Sequence, residues 1–315
     1  MEMNKEKIET VLVCGRGAVG MTMGDLFDAH LPKGNFAFLC DPPRARRYAK
    51  KPVQVNGEPK TYPVLASDDP NGFKADLVLF ACKAYSLDEA IEQARPFIDD
   101  QTIFMSAING ISSEDKLMEA FPNNPVIHTI AQNMDARYDP KAQILQFTTR
   151  GELVFGPAKE ELTSQADRVQ ALFDACQIPY IRSQSILLDQ YRKLMFNCGI
   201  NQVCAAYQAT YGDVAKNPVL NQIFRQAMEE ARTVLAAMGE DPGRKSLENW
   251  CYKVGTFDPD SMPSMAQDVL HQRPVELELF SGTVVPKAHT LHIPVPVLED
   301  LMDRIGKRVS EYSNL

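Results

Sequence analysis

Four short runs in the first third of the chain are apolar at nearly every position: "ETVLVC" (9–14), "NFAFLC" (35–40), "ADLVLFAC" (75–82) and "TIFMSA" (102–107). Continuous apolar character, rather than strict alternation, predicts strands covered on both faces. Helical texture lies between them, beginning with a stretch that follows "GRGAVG" (15–20) and runs to about His30. Strands alternating with helices through about residue 182 predict a doubly wound, parallel α/β sheet. After "IPYIRSQS" (178–185) the pattern changes. Residues 217–239 carry apolar positions at helical spacing and end at Gly239, a residue suited to a helix stop. "SMAQDVLHQ" and "VPVLEDLMDRIGKRVSEY" also have helical spacing. A chain of 315 residues exceeds the usual single core. The expected organisation is an α/β domain over 1–183 and an all-α domain over 184–315.

One helical stretch departs from the apolar pattern. In "YRKLMFNCGIN" (191–201), Lys193, Asn197 and Asn201 recur every fourth residue, flanked on both sides by apolar segments. Steps of four advance about 400° around a helix, so the three groups share one face. Burying an unpaired polar group costs roughly 2–7 kcal/mol. Such a face therefore needs a partner, and a ligand surface lining a cleft supplies one. A snorkelling lysine and asparagines bonded between helices are the plainer alternatives.

The glycine pattern adds chemistry. Strand, Gly15-Arg16-Gly17-Ala18-Val19-Gly20, helix is the dinucleotide-binding arrangement. Gly15 permits the tight turn, Gly17 lets the backbone approach a pyrophosphate, and Gly20 allows close helix–strand packing. The helix N-terminus then offers free N–H groups and the positive end of its dipole. Residues 1–183 are accordingly expected to be a Rossmann-type NAD(P)-binding domain. Asp41, at the end of the second strand, stands where an acid commonly bonds the adenine ribose of NAD. Arg44, Arg46, Arg47, Lys50 and Lys51 follow it, and arginines there suit the 2′-phosphate of NADP or simply a solvated helix face. NADP and NAD both stay open on these residues.

Composition narrows the classes. A net charge of −8 and a pI near 5.3 argue against general binding of nucleic acid or anionic membranes. No apolar run approaches the roughly 18–20 residues that span a bilayer. The opening "MEMNKEKIET" has no apolar signal core, so a cytoplasmic location is expected. Seven scattered cysteines without a C-x-x-C pair, and five histidines without ligand spacing, predict a reduced protein with no disulfide framework and no metal site.

At "GRGAVG", "FACKAYS", "INGIS", "YRKLMFNCGIN" and "SMAQD…VELELFSG" the sequence resembles ketopantoate reductase (2-dehydropantoate 2-reductase), nearly end to end and in motif order. Glu276 follows Ser264 by twelve residues, as in that family. The resemblance implies a Rossmann domain joined to a helical domain with the active site in the cleft between. It implies reduction of the 2-oxo group of ketopantoate by NADPH, giving pantoate for pantothenate and coenzyme A synthesis. Lys193 would be the general acid, and Asn197, Asn201 and Ser264 would hold substrate. Glu276 would lie near the nicotinamide, Lys83 and Asn109 would touch cofactor, and Asn109 would also approach substrate. In physical terms, hydride arriving at a 2-oxo carbon leaves an alkoxide, which a positioned ammonium can stabilise and protonate. Burial would bring a lysine down from about 10.4 toward working pH.

The plainer readings of the other positions are a helix N-cap for Ser264, an Asn-Gly turn for Asn109, a strand-end charge for Lys83 and an exposed helix face for Glu276 and Glu278. Glu230 also matches a family glutamate, beside a surface-like Glu229. The chain departs from the family at Tyr191, at Gln202, Val203 and Cys204 after Asn201, at Tyr211, at Asp41, and in "HTIAQNMDARYD". These positions bear on the substrate and the cofactor. A paralogue reducing a different 2-oxo acid is therefore the first alternative, favoured by Tyr211. A non-catalytic NADP-binding sensor is the second, and a β-hydroxyacid dehydrogenase is a relative in mechanism. Homodimerisation is left open.

Overall fold

The structure is a computed structural model that describes residues 6–313; the opening Met1–Lys5 lies outside the described residues. The chain forms two compact units, Met1–Ile186 and Leu187–Leu315.

Unit 1 contains β1 (Val11–Cys14), α1 (Ala18–His30), β2 (Phe36–Cys40), α2 (Pro42–Tyr48), β3 (Val53–Val55), β4 (Glu58–Lys60), β5 (Val64–Ala66), β6 (Leu77–Phe80), α3 (Leu87–Ala94), β7 (Ile103–Ser106), α4 (Ser113–Ala120), β8 (Val126–Gln132), β9 (Arg137–Asp139), β10 (Ile144–Gln146), β11 (Glu152–Gly156), α5 (Thr163–Ala175) and β12 (Tyr180–Arg182). Eight strands form one sheet in the order β12-β11-β8-β7-β6-β1-β2-β5. Neighbours from β5 to β8 pair in parallel, and β8 pairs antiparallel with β11. Every residue of β1, β2, β6 and β7 is buried, as the continuous apolar runs required. Between β1 and β6 the strand order reverses, and open α/β sheets bind ligands at the carboxyl ends of strands beside such a point.

A second, four-stranded sheet, β4-β3-β10-β9, was not visible in the sequence pattern. Its strands are three residues each, too short for a periodic signal, and β4 is the polar Glu58-Pro59-Lys60. Charge ties its neighbourhood to α1. Asp25, only 2% exposed, accepts hydrogen bonds from Lys60 Nζ, from Tyr62 Oη at 2.7 Å and from Arg150 Nη2 at 2.6 Å. Arg150 also donates to the Thr22 carbonyl at 3.2 Å.

Unit 2 is helical: α6 (Ile186–Tyr207, whose first residue belongs to unit 1), α7 (Tyr211–Lys216), α8 (Pro218–Met238), α9 (Arg244–Val254), α10 (Ser264–Leu270), α11 (Ser281–Thr290) and α12 (Pro296–Ser313). Helix α8 ends where Gly239 takes φ +139°, a conformation that favours glycine. The Glu230 carboxylate accepts the backbone N–H groups of Val297 and Leu298 at 3.0 and 2.9 Å. It thereby satisfies orphan donors in the first turn of α12. Among the described residues no helix is long and apolar enough to cross a membrane, and no group of three acidic, His or Cys side chains could hold a metal ion.

Candidate active site

The glycine loop leaves β1 in a shape that the strand behind it dictates. Gly15 has φ +116°, and a Cβ there would stand 2.6 Å from the Ala81 carbonyl carbon and 2.7 Å from the Cys82 nitrogen. A Cβ on Gly20 would fall 2.1 Å from the Gly15 oxygen. Both positions are closed to other residues by the protein's own packing. Gly17 differs. Its φ of −82° is ordinary, and its Cβ would meet nothing nearer than the Ala81 oxygen at 3.8 Å. Nothing within the described residues demands glycine there, whereas the backbone approach of a pyrophosphate does. No side chain caps the helix that begins at Ala18, so the N–H groups of Ala18 and Val19 face a natural anion position. The residues present fit a dinucleotide.

Lys83 precedes a 3₁₀ turn (Ala84–Ser86) just after β6, and Asn109 lies in a bend just after β7; both are half-buried. They stand at the carboxyl ends of β6, which pairs with β1, and of β7, the next strand out in the sheet. Asp41 takes a different part from that of a ribose ligand: it N-caps α2, its Oδ1 accepting the Arg44 N–H at 2.7 Å while Oδ2 pairs with Arg44 Nε at 3.1 Å. Arg46 and Arg47 are exposed on α2.

In unit 2 the polar face of α6 is built as its spacing predicts. Asn197 and Asn201 are 5% and 6% exposed, and Lys193 is half-buried. Burial brings the Lys193 ammonium down to about 8. Asn201 Oδ1 accepts the Met265 backbone N–H at 3.2 Å and the Ser264 hydroxyl at 3.3 Å, and Asn201 Nδ2 donates to Asn197 Oδ1 at 3.1 Å. The order of these bonds decides their direction. A backbone N–H can only donate, so Met265 fixes the Asn201 oxygen, and Asn201 in turn fixes the Asn197 oxygen. Asn197 is left with its NH₂ as the group to offer a ligand. A lysine ammonium and an amide donor on one face suit an oxygen-rich, anionic substrate.

Ser264 is thus not the N-cap. Pro263 occupies that position, Ser264 is the first residue of α10, and its hydroxyl turns to Asn201. Glu276 directly precedes a 3₁₀ turn (Leu277–Leu279) rather than lying on a helix face; it is half-buried while Glu278 is exposed. The hydrogen bonds join Asn197, Asn201 and Ser264, Lys193 shares their helix face, and Glu276 comes from a separate segment. Gln202 points elsewhere: fully buried, it donates to the Cys198 carbonyl at 2.7 Å and accepts the Ser281 hydroxyl, stapling α6 to α11. Tyr211 is the first residue of α7, packed edge-on to Phe257 with centroids 4.9 Å apart. Phe257 in turn meets Phe196, which stacks on Trp250 at 4.1 Å. The part played by the Met265 N–H was invisible in the sequence, because a backbone donor 64 positions from its acceptor leaves no residue-type signal.

Two models of one family cover most of the chain: ketopantoate reductase PanE/ApbA over residues 11–160 and its C-terminal part over residues 185–308. A 2-dehydropantoate 2-reductase of Vibrio cholerae is 26% identical over 231 residues, 73% of this chain and 77% of that protein. Among solved structures, a PanE/ApbA family ketopantoate reductase from Ralstonia eutropha superposes with a TM-score of 0.82 at 23% identity, covering 96% of this chain and 99% of that one. D-mandelate dehydrogenase, in a ternary structure with NADH and anilino(oxo)acetate, gives 0.85 at 17% identity with the same coverage. The glycine loop built for a dinucleotide, the helical second unit and the two matched models lead to one assignment: the chain belongs to the ketopantoate reductase family, nicotinamide-dependent oxidoreductases acting on CH–OH groups.

Proposed function

We propose that this protein is a cytoplasmic reductase that converts ketopantoate to pantoate with NADPH, the step feeding pantothenate and coenzyme A synthesis, with Lys193 as general acid. The observation that carries the reading is the polar face of α6, where a lysine brought to about 8 by burial lies four residues from an amide donor. Bound at Gly15–Gly20, with Lys83 and Asn109 at its edge, a reduced nicotinamide supplies the hydride. At neutral pH a lysine near 8 is largely protonated, yet it releases its proton far more readily than a free lysine. Lys193 Nζ then meets the charge growing on the former carbonyl oxygen, a contribution of about 10²–10⁴ in rate. The Asn197 amide donates to a substrate oxygen and the Ser264 oxygen, whose own hydrogen goes to Asn201, accepts from a substrate hydroxyl, while Asn201 keeps both in place. Glu276 helps to organise the nicotinamide end.

A second reading keeps the catalyst and changes the substrate. The Tyr211–Phe257–Phe196–Trp250 cluster offers aromatic surface in unit 2, which favours a 2-oxo acid with a flat or bulky apolar group. The test is NAD(P)H oxidation with ketopantoate and with benzoylformate, the oxo acid of mandelate, for wild type and Lys193→Met. Turnover of ketopantoate, lost by about 10²-fold or more in the variant, supports the first reading. Turnover of benzoylformate with ketopantoate untouched replaces it with the second.

A further inference from the structure

Arg16, the second residue of the glycine loop, is in an unusual position for an arginine. It is only 9% exposed. Its Nε donates to the Met21 sulfur at 3.4 Å, and its guanidinium carbon lies 4.0 Å from the Tyr48 ring centroid and 5.2 Å from that of Phe38. Its Nη1 is buried with no hydrogen-bond partner among the described residues. A guanidinium has donors and no acceptor, so this donor brings a cation into the interior. The faces of two rings stabilise the cation but leave the N–H unmet. A buried, charged and unpartnered donor is costly, and a ligand that accepts from it removes that cost.

The recess beside it indicates the ligand. It has a volume of about 70 Å³, and its lining includes Gly15, Arg16, Cys40, Arg44, Tyr48 and Glu89. One water needs roughly 10–15 Å³, so a group of phosphoryl size fits. The recess opens at the carboxyl ends of β1 and β2, where the adenosine half of a dinucleotide lies against such a sheet. Asp41, the residue that would favour a ribose hydroxyl, is absent from the lining and is occupied in capping α2. Two arginines and one carboxylate therefore line the recess; Arg44 is paired with Asp41 through Nε, and the Glu89 carboxylate already accepts from Gln93 Nε2 at 2.7 Å.

We propose that Arg16 selects the phosphorylated cofactor, its Nη1 donating to an adenosine 2′-phosphate in this recess with Arg44 as the second cation. The selection is thus made from inside the glycine loop and not from the end of β2. This rests on the reading of the loop as a dinucleotide cradle, and the test separates the two. Calorimetric titrations compare 2′,5′-ADP with 5′-AMP, which differ only in the 2′-phosphate, on the intact chain and without any substrate. Wild type is expected to bind 2′,5′-ADP about ten-fold or more tightly, as a charge-assisted bond to phosphate provides. Arg16→Met removes most of that ratio while 5′-AMP affinity stays within about three-fold, Arg16→Lys recovers part of it, and Arg46→Ala on the exposed face of α2 leaves it unchanged. Thermal unfolding checks that each variant folds, and Arg16→Lys carries the test should Arg16→Met fail to. A ratio near one in wild type, with 5′-AMP still bound, overturns the selection and leaves the cradle intact. A high ratio that both Arg16 variants preserve overturns the role of Arg16. Binding of neither nucleotide overturns both the selection and the cradle.

Discussion

At the residue scale, the general-acid role proposed for Lys193 and the cost of burying its ammonium can be tested on one side chain. A general acid must be protonated, so kcat/KM is expected to fall as pH rises through about 8, and the pH–rate profile checks this. The same burial has a stability consequence of definite sign. The native state binds the Lys193 proton more weakly than the unfolded chain does, so unfolding takes up a proton between about pH 8 and the ordinary lysine value near 10.4. This group therefore weakens the fold fully below pH 8, and the penalty fades as pH rises through that window. Lys193→Met should raise stability at pH 7 by about 1–3 kcal/mol while removing turnover, and denaturant unfolding at pH 7 and pH 10 measures the difference. A variant no more stable at pH 7 than wild type would contradict the burial. Asn197 and Asn201 illustrate the limit of reading single residues. Their fourfold spacing marked a shared face, but which atom of each amide points outward depends on the Met265 N–H.

At the element scale, two carboxylates hold segments that the sequence pattern left unconnected. Glu230 resembled a family residue and also a surface one; in the fold it caps the first turn of α12 from α8. Glu230→Ala should cost about 0.5–2 kcal/mol and lower the unfolding temperature by a few degrees. Asp25 fastens α1 to Lys60, Tyr62 and Arg150. Burial alone would raise its carboxyl, but the bonds from Lys60, Tyr62 and Arg150 outweigh burial and hold it below the usual range. Its contribution is present above about pH 4 and is lost as pH falls through the lowered native value. Asp25→Ala should cost about 3 kcal/mol at pH 7, because two cations lose their partner. In urea titrations wild type should lose stability more steeply than Asp25→Asn below pH 4. β1, β2, β6 and β7 were legible as unbroken apolar runs, and α1, α8 and α12 as long helical texture; all lie where the pattern predicted. The sheet β4-β3-β10-β9 was not, since three-residue strands complete hardly more than one period.

At the scale of the whole molecule, two units in one chain make ligand linkage a useful probe. A ligand that binds only the folded state stabilises it by about 2.7 kcal/mol at a hundred times its dissociation constant. NADPH at that excess should raise the unfolding temperature of the intact chain. Where calorimetry resolves two transitions, the shifted one should be the transition that Asp25→Ala lowers, since Asp25 and the glycine loop both belong to residues 1–186. A shift confined to the transition that Glu230→Ala lowers would place the nucleotide in the wrong unit.

The sequence by itself determined the class of fold and the outline of the chemistry. Continuous apolar strands, the three glycines and a lysine–asparagine stripe are local patterns whose physics acts within a few turns or a single loop. The tertiary structure decided what each polar group does once folded. Ser264 turned from its own helix to Asn201, 63 positions away, and Gln202 turned into the core to meet Ser281. A hydrogen bond needs its partner within about 3.5 Å, and only the packed chain settles which of many equally polar groups comes that close.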